Sequence, residues 1–98
     1  MTAAVDPALR LSAQRALLGA VSPRVRLIKV ALDGSEIAFT VIAAANLTEV
    51  ERDALSVAAA EIVADFPGHS INETVRVSAE PLPGEDFLAS GWVYLRAE

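Results

Sequence analysis

The sequence predicts an α+β fold, a two-layer sandwich with element order α-β-β-α-β-β, a mainly antiparallel sheet and both helices on one face. Three observations support this. Two stretches repeat apolar residues at helical spacing, and four shorter stretches are β-rich and bounded by turn signals. The chain has 98 residues, which is near the commonest domain size and sufficient for one core. We therefore expect residues 1–98 to form a single domain.

The first element is a predicted helix over roughly residues 7 to 20. Asp6 can cap it and Pro7 is favoured at the first helical position, while Ser22-Pro23 ends the run. The apolar residues that recur at helical spacing are Leu9, Ala13, Ala16, Leu17 and Ala20.

The stretch "RVRLIKVALDGSEIAFTVIAAA" predicts a β-hairpin. Its two β-rich segments flank Asp33-Gly34, a dipeptide suited to a tight turn that needs positive φ. Arg24 and Arg26 share the parity of the apolar residues later in the first strand. Either a bulge changes the facing, or a charged end of the strand extends beyond the core. One face of the second strand is formed by Ile37, Phe39, Val41 and Ala43.

The second predicted helix begins after Thr48, which forms a capping-box pattern with Glu51 three residues later. It runs to about Phe66, where Pro67-Gly68 ends it. Its core stripe is predicted to be Leu55, Ala58, Ala59, Ile62 and Phe66.

Two further strands complete the pattern. Ile71, Val75 and Val77 alternate with polar residues and predict a third strand. "PLPGEDFLASG" is a loop by its prolines and glycines, and the alternation from Trp92 to Arg96 predicts a short terminal strand.

Composition excludes several classes of function. The chain is 53% hydrophobic but has no apolar run long enough to span a membrane and no signal-peptide pattern. It has no cysteine, which rules out disulfides and thiolate chemistry and fits a cytoplasmic location. The net charge of −5 disfavours nucleic acid and anionic membranes as partners. This charge is more natural in a small domain that is soluble on its own or complementary to a basic protein partner.

The stretch "AEIVADFPGHS" raises the question of a metal or acid/base site. Glu61 and Asp65 are one helical turn apart, and His69, the only histidine, follows the Pro-Gly stop. These residues offer too few ligands for a divalent metal, and no nucleophile or glycine-rich phosphate loop stands out elsewhere. We therefore expect no enzyme activity, metal or cofactor, and interpret the two carboxylates as a solvated helix flank available to a partner.

Three blocks carry a family resemblance: "SAQRALLGAVSPRVRLIKV", "LSVAAAEIVADFPGHSINE" and "GWVYLRAE". Together they resemble a family of small bacterial proteins with an ALLGAV-type first helix, a helix ending in EVIADFP and a terminal WVYLR-acid strand. Such proteins are similar to immunity proteins of contact-dependent inhibition and related polymorphic toxin systems. The resemblance implies a protein that binds a toxin domain, and it supplies no catalytic residues.

Two functional hypotheses follow. In the first, a non-enzymatic cytoplasmic immunity protein binds a basic toxin domain through an acidic surface. Its predicted partner-binding residues are Glu61, Asp65, Glu80, Glu85, Asp86 and Phe87, with Phe87 as an apolar anchor. In the second, the chain is a self-associating structural or regulatory module. Its homodimer would pack through apolar and small residues on the outer helix faces, namely Leu11, Leu18, Val57, Ala60 and Ala64.

Overall fold

The computed structural model describes residues 7–80 and 92–95. Within these residues the chain forms helices and strands in the predicted order α-β-β-α-β-β. The helices are α1 (Pro7–Ala16) and α2 (Glu49–Ala64), and the strands are β1 (Val25–Asp33), β2 (Glu36–Ala43), β3 (Ser70–Val77) and β4 (Trp92–Leu95). The predicted cap Asp6 and the predicted loop 81–91 lie outside the described residues.

The four strands form one sheet in the order β3-β2-β1-β4. Strand β1 pairs antiparallel with both β2 and β4, whereas β2 pairs parallel with β3. The sheet is therefore mixed but mostly antiparallel, as expected. A parallel pair of neighbouring strands requires a crossover between them, and α2 is the element that makes this connection.

Both helices pack on the same face of the sheet, which confirms the predicted two-layer arrangement. The apolar stripe of α2 is buried as predicted, and Phe66 packs against its edge. The core cluster combines residues of both helices with one face of the sheet: Leu9, Ala13, Ile28, Val30, Ile37, Phe39, Val41, Ala43, Leu55, Ala58 and Ile62. In β3, Ile71 and Val75 pack against this cluster, but Val77 at the strand end is 48% exposed.

The first strand contains the bulge that the parity of Arg26 had left open. Val25 is opposite Ala43 and Leu27 is opposite Ile42, so β1 has one extra residue at Arg26. Such a bulge shifts the facing of the residues on either side of it. Val25 can thus join the same core as Ile28, while Arg26 is directed elsewhere.

Helix α1 ends at Ala16, so it is shorter than the predicted helix, which ran to about residue 20. The next residues form a tighter turn, in which the Leu18 N–H donates to the Arg15 carbonyl and the Ala20 N–H donates to the Leu17 carbonyl. Gly19 has a φ of 77°, a conformation that breaks the helix. Leu17 is nevertheless buried, so the apolar spacing continues beyond the helix itself.

Helix α2 has the predicted ends. Both hydrogen bonds of the Thr48–Glu51 capping box are present. At the other end Asp65 is the C-cap, one residue before the predicted last position, and Gly68 turns the chain with a φ of 81°. The chain then enters β3, where the Ser70 N–H donates to the Ser35 carbonyl at 2.9 Å.

The β1–β2 hairpin closes with a two-residue turn, because Asp33 pairs with Glu36. Gly34 has a φ of 62°, and no described residue other than glycine has positive φ. Positive φ at only the first of the two central residues is the pattern of a type II′ turn.

We predict that Gly34→Ala lowers the free energy of unfolding by about 1 kcal/mol, because an L side chain is disfavoured at this φ. A Cβ at this position meets no atom within 4 Å, so the loss is conformational and not steric. Ser35→Ala is the matched control and should leave stability nearly unchanged. Urea unfolding of the three proteins measures the difference, and equal midpoints for all three would contradict the turn assignment.

Candidate partner-binding surface

The C-terminal end of α2 holds the residues that the sequence had offered as a catalytic triplet. Glu61 and Asp65 are exposed, and His69 is half-buried beyond the turn. The His69 ring packs edge-on against Phe66, with 5.8 Å between ring centres, and its Nδ1 lies 3.3 Å from the Pro67 carbonyl oxygen. Within residues 7–80 and 92–95, no group of three His, Asp or Glu side chains could hold a metal ion. The histidine thus contacts its own turn instead of the two carboxylates.

Glu61 and Asp65 instead line a shallow groove between the two helices. The groove has a volume of about 310 Å³, and α1 contributes Ser12, Arg15 and Ala16 to its wall. The Ser12 hydroxyl, which is buried, donates to the Asp65 carboxylate at 2.6 Å. This hydrogen bond ties α1 to the end of α2 and orients the Asp65 side chain.

Glu80 lies at the other end of the molecule. Asp65 precedes the start of β3 and Glu80 follows its end, so roughly 23 Å of extended strand separates the two regions. Glu80 is exposed, and its backbone carbonyl accepts a hydrogen bond from Arg26. The structure therefore does not gather Glu61, Asp65 and Glu80 into one patch. Glu85, Asp86 and Phe87 lie outside the described residues.

A row of exposed residues along α2 was not recognised in the sequence analysis. Five exposed residues of α2 and its C-cap recur at intervals of four: Glu49, Asp53, Val57, Glu61 and Asp65. On an α-helix, residues four apart form one continuous ridge. We call these five residues the acidic ridge. The sequence analysis paired only Glu61 with Asp65 and assigned Val57 to a separate surface, although the four-residue spacing was visible in the sequence.

The acidic ridge conflicts with the local stability of the helix. Carboxylates four apart, as in Glu49 with Asp53 and Glu61 with Asp65, repel one another and each such pair costs about 0.2–0.5 kcal/mol. At its centre Val57 is 60% exposed. A surface that keeps like charges together around an exposed apolar residue is more typical of a binding site than of a solvated flank.

Glu51 differs from the acidic ridge because its carboxylate is used within the fold. It accepts a hydrogen bond from the Thr48 N–H at 2.8 Å and lies 3.8 Å from the Arg24 guanidinium. The Thr48 N–H is the main cause that lowers the pKa of Glu51 below its ordinary value of 4.5, and the Ser22 hydroxyl and Arg24 act in the same direction. Glu51 therefore stabilises the start of α2.

Apolar residues are exposed on the outer side of the α1 region. Leu11 is 50% exposed and Leu18 is 81% exposed. Leu18 borders a second groove of about 310 Å³, to which Val93 and Tyr94 of β4 also contribute. This surface is distinct from the acidic ridge.

A small two-layer α+β fold with an acidic ridge centred on an apolar residue has the features of a protein-binding module. Comparison with known families gives the chain a particular place within that class. It belongs to the MafI2 immunity protein family, whose model matches residues 6–98, nearly the whole chain. No curated protein matches the sequence. In the part of the chain described by the structure, neither helix is long and apolar enough to cross a bilayer.

We predict that Glu51→Gln lowers stability at neutral pH, and that its stability approaches that of the wild type as the pH falls through the lowered Glu51 pKa. A carboxyl group whose pKa is lower in the folded than in the unfolded state stabilises the fold above the unfolded pKa, and this stabilisation is lost in acid. Glutamine preserves the capping-box pattern, so the substitution isolates the charge. Thermal unfolding between pH 7 and pH 3 measures the effect.

Glu49→Gln is the control, since it removes a carboxylate from the same helical turn without touching the capping box. It should destabilise the protein less than Glu51→Gln at pH 7. A stability difference between Glu51→Gln and the wild type that does not change with pH would contradict the assignment.

Proposed function

We propose that the chain is an immunity protein that binds a basic bacterial toxin domain and neutralises it in the cytoplasm of the cell that makes both proteins. Membership of the MafI2 immunity protein family supports a role in immunity. The proposal assigns binding alone to the chain, with no reaction, cofactor, nucleic acid or membrane.

The acidic ridge is the observation that supports this part of the surface as the toxin-binding site. Its four carboxylates are exposed along α2, with Glu61 and Asp65 beside the groove against α1, and Val57 lies at the midpoint. An apolar centre surrounded by charge resembles the arrangement in which desolvated contacts hold a complex and the rim excludes water. A toxin surface rich in lysine and arginine would complement it.

Electrostatics supports rapid association with such a partner. The net charge of −5 attracts a basic protein over distances of about 8 Å at physiological ionic strength. Complementary charge mainly raises the association rate and selects the partner, whereas the buried centre of the interface sets the dissociation rate. Fast, selective capture suits a protein that must reach a toxin before the toxin acts.

The predicted partner-binding residues divide between two regions in this proposal. Glu61 and Asp65 belong to the acidic ridge, at the end where Ser12 orients the Asp65 carboxylate. Glu80 begins a second region that the sequence extends to Glu85, Asp86 and Phe87. Asp65 precedes β3 and Glu80 follows it, so a toxin domain that contacts both has to span the length of this strand.

The test uses the 98-residue chain and, where the gene immediately upstream encodes a large secreted protein with a variable C-terminal domain, that domain as the toxin probe. We predict that this domain binds with a dissociation constant in the nanomolar range. Asp53→Lys/Glu61→Lys should weaken binding by about a hundredfold, since it introduces repulsion at two contact points. Surface plasmon resonance at several salt concentrations separates association from dissociation rates.

Asp33→Lys/Glu36→Lys is the matched control. It changes the net charge by the same amount, through one aspartate and one glutamate that are exposed at the hairpin. The control should lower the association rate modestly and leave dissociation unchanged. Equal loss of affinity in both double variants would contradict the ridge, and no binding by the wild type would contradict the function.

Self-association remains a second candidate, and the exposure of Leu11 and Leu18 supports it. In this form the chain would be a homodimer whose interface covers these residues, or the small residues Ala60 and Ala64 beside Val57. Light scattering across concentrations tests it. A dimer that Leu18→Glu converts to a monomer would support the α1 surface, while a strict monomer at every concentration would exclude this candidate.

A further inference from the structure

Strand β3 is an outer strand of the sheet, since β2 is its only neighbour among the described strands. It has eight residues and pairs with β2 without a register shift, whereas β4 at the opposite edge has four residues and an irregular register. Soluble proteins usually protect such an edge with prolines, lysines, bulges or very short strands. Strand β3, with the sequence SINETVRV, contains no proline, lysine or bulge.

The hydrogen bonds at the two ends of β3 show which of its backbone groups point away from β2. The Ser70 N–H donates to the Ser35 carbonyl and the Ser78 N–H donates to the Ala43 carbonyl, both at 2.9 Å. Because backbone groups alternate in direction along a strand, the even-numbered residues between these two also point toward β2. The outer edge therefore presents the N–H and C=O groups of the odd-numbered residues, which are Ile71, Glu73, Val75 and Val77.

The side chains of β3 leave this edge accessible. Six of the eight residues are exposed and the other two are half-buried, unlike in the inner strand β2. Val77 is an exposed apolar residue at the end of the strand. The strand is therefore regular, accessible and rich in β-branched residues, and these properties favour pairing with a further strand.

We propose that β3 is a self-association edge, at which two copies of the chain pair β3 with β3 in antiparallel orientation around a twofold axis at Thr74. The two four-stranded sheets then form one continuous sheet. A strand paired antiparallel with its own copy is self-complementary, as the interface of a symmetric dimer requires. The inference goes beyond the proposed toxin binding and does not depend on it.

An axis at Thr74 pairs every outward-pointing backbone group of β3. Ile71 lies opposite Val77 of the second copy, and Glu73 lies opposite Val75. Directly opposite residues of this kind exchange two hydrogen bonds. An axis at Val75 would leave Ile71 without a partner in the strand, so the axis at Thr74 makes the fullest use of the edge.

The side chains are compatible with the same register. Arg76 lies opposite Asn72 of the second copy, and Thr74 lies opposite its own copy, where the two hydroxyl groups can form a hydrogen bond. An axis at Glu73 would instead place two carboxylates directly opposite each other, which is destabilising.

Charge favours a second copy over a basic toxin as the occupant of this edge. The strand has one acidic and one basic residue, Glu73 and Arg76, and therefore no net charge. It offers a basic partner no electrostatic attraction, in contrast to the acidic ridge.

The helix layer is compatible with the approach of a second copy. The Ser56 hydroxyl donates to the Glu73 carboxylate at 2.9 Å, so this side of α2 lies above β3. Ala60 lies one turn further along the same side and is exposed. Such small side chains would let the two α2 helices pack at the usual interaxial distance of roughly 8–10 Å.

The first test measures the mass of the purified chain by light scattering over a range of concentrations. We expect a dimer with a dissociation constant on the order of micromolar, because a single strand edge is a small interface. Glu73→Pro removes an outward-pointing N–H without removing a hydrogen bond to β2, and should weaken the dimer by about tenfold or more. Glu73→Ala, the matched control, retains the N–H and should dimerise like the wild type. Circular dichroism checks that both variants are folded.

The second test examines the register by cross-linking and does not depend on the proline variant. The chain has no cysteine, so Thr74→Cys introduces a single one. Across the axis the two Cα atoms would be about 4.5 Å apart, which permits a disulfide. Asn72→Cys is the control on the same face of β3, with its two copies separated by roughly 13 Å along the strands. Under mild oxidation, Thr74→Cys should form a covalent dimer about tenfold faster or more than Asn72→Cys.

Three results would overturn the inference. The first is a strict monomer at every concentration. The second is a dimer that Leu18→Glu dissociates and Glu73→Pro does not, which would assign the interface to the α1 surface. The third is equal rates of cross-linking for the two cysteine variants. Each test uses the chain alone, so the failure of this inference is distinguishable from the failure of toxin binding.

Discussion

The packing of one apolar stripe of α2 against the sheet determines most of the other features of this molecule. Leu55, Ala58 and Ile62 are buried in the core, so the rotation of the helix about its axis is fixed. Because α2 connects two parallel neighbouring strands, its position over the sheet is fixed as well. Once both are set, Glu49, Asp53 and Val57 face solvent, and Glu61 and Asp65 lie on the flank of the helix beside α1. The acidic ridge is therefore a direct consequence of how the core is filled.

Different parts of the fold were predictable to different degrees. The capping box at Thr48 and the glycine of the hairpin turn are local signals, and both predicted their structures correctly. The end of α1 was predicted too late, because the apolar spacing continues through Leu17 after the backbone has left the helix. Non-local features were harder, since the parallel pairing of β2 with β3 depends on where the crossover helix packs. The bulge at Arg26 was one of two open interpretations, and pairing with β2 decides between them.

In the candidate site, too, local features were predictable from the sequence and non-local features were not. The sequence predicted a solvated flank at Glu61 and Asp65, and both residues are exposed. It did not indicate that Asp65 and Glu80 lie at opposite ends of β3. Distance in space depends on strand direction, which a list of acidic residues does not contain. In contrast, the four-residue spacing of the acidic ridge is visible in the sequence alone. What the structure added was the exposure of every member, including Val57.

The two arginines at the start of β1 account for part of the charge asymmetry of the surface. Arg24 donates to the Asn46 carbonyl at 2.9 Å beside the α2 cap, and Arg26 donates to two carbonyls after β3. Both guanidinium groups satisfy backbone oxygens where chain segments enter or leave the sheet. Arg24 is also close to Glu51, which serves the capping box and is not part of the acidic ridge. The ridge carboxylates are not among the described contacts of either arginine, whereas Arg15 lines the groove beside Glu61 and Asp65. A chain that uses these two cations to hold its backbone leaves more of its carboxylates available at the surface for a given net charge, here −5. Under the proposed function, carboxylates held on the rigid helix α2 would be positioned for a basic partner before it binds.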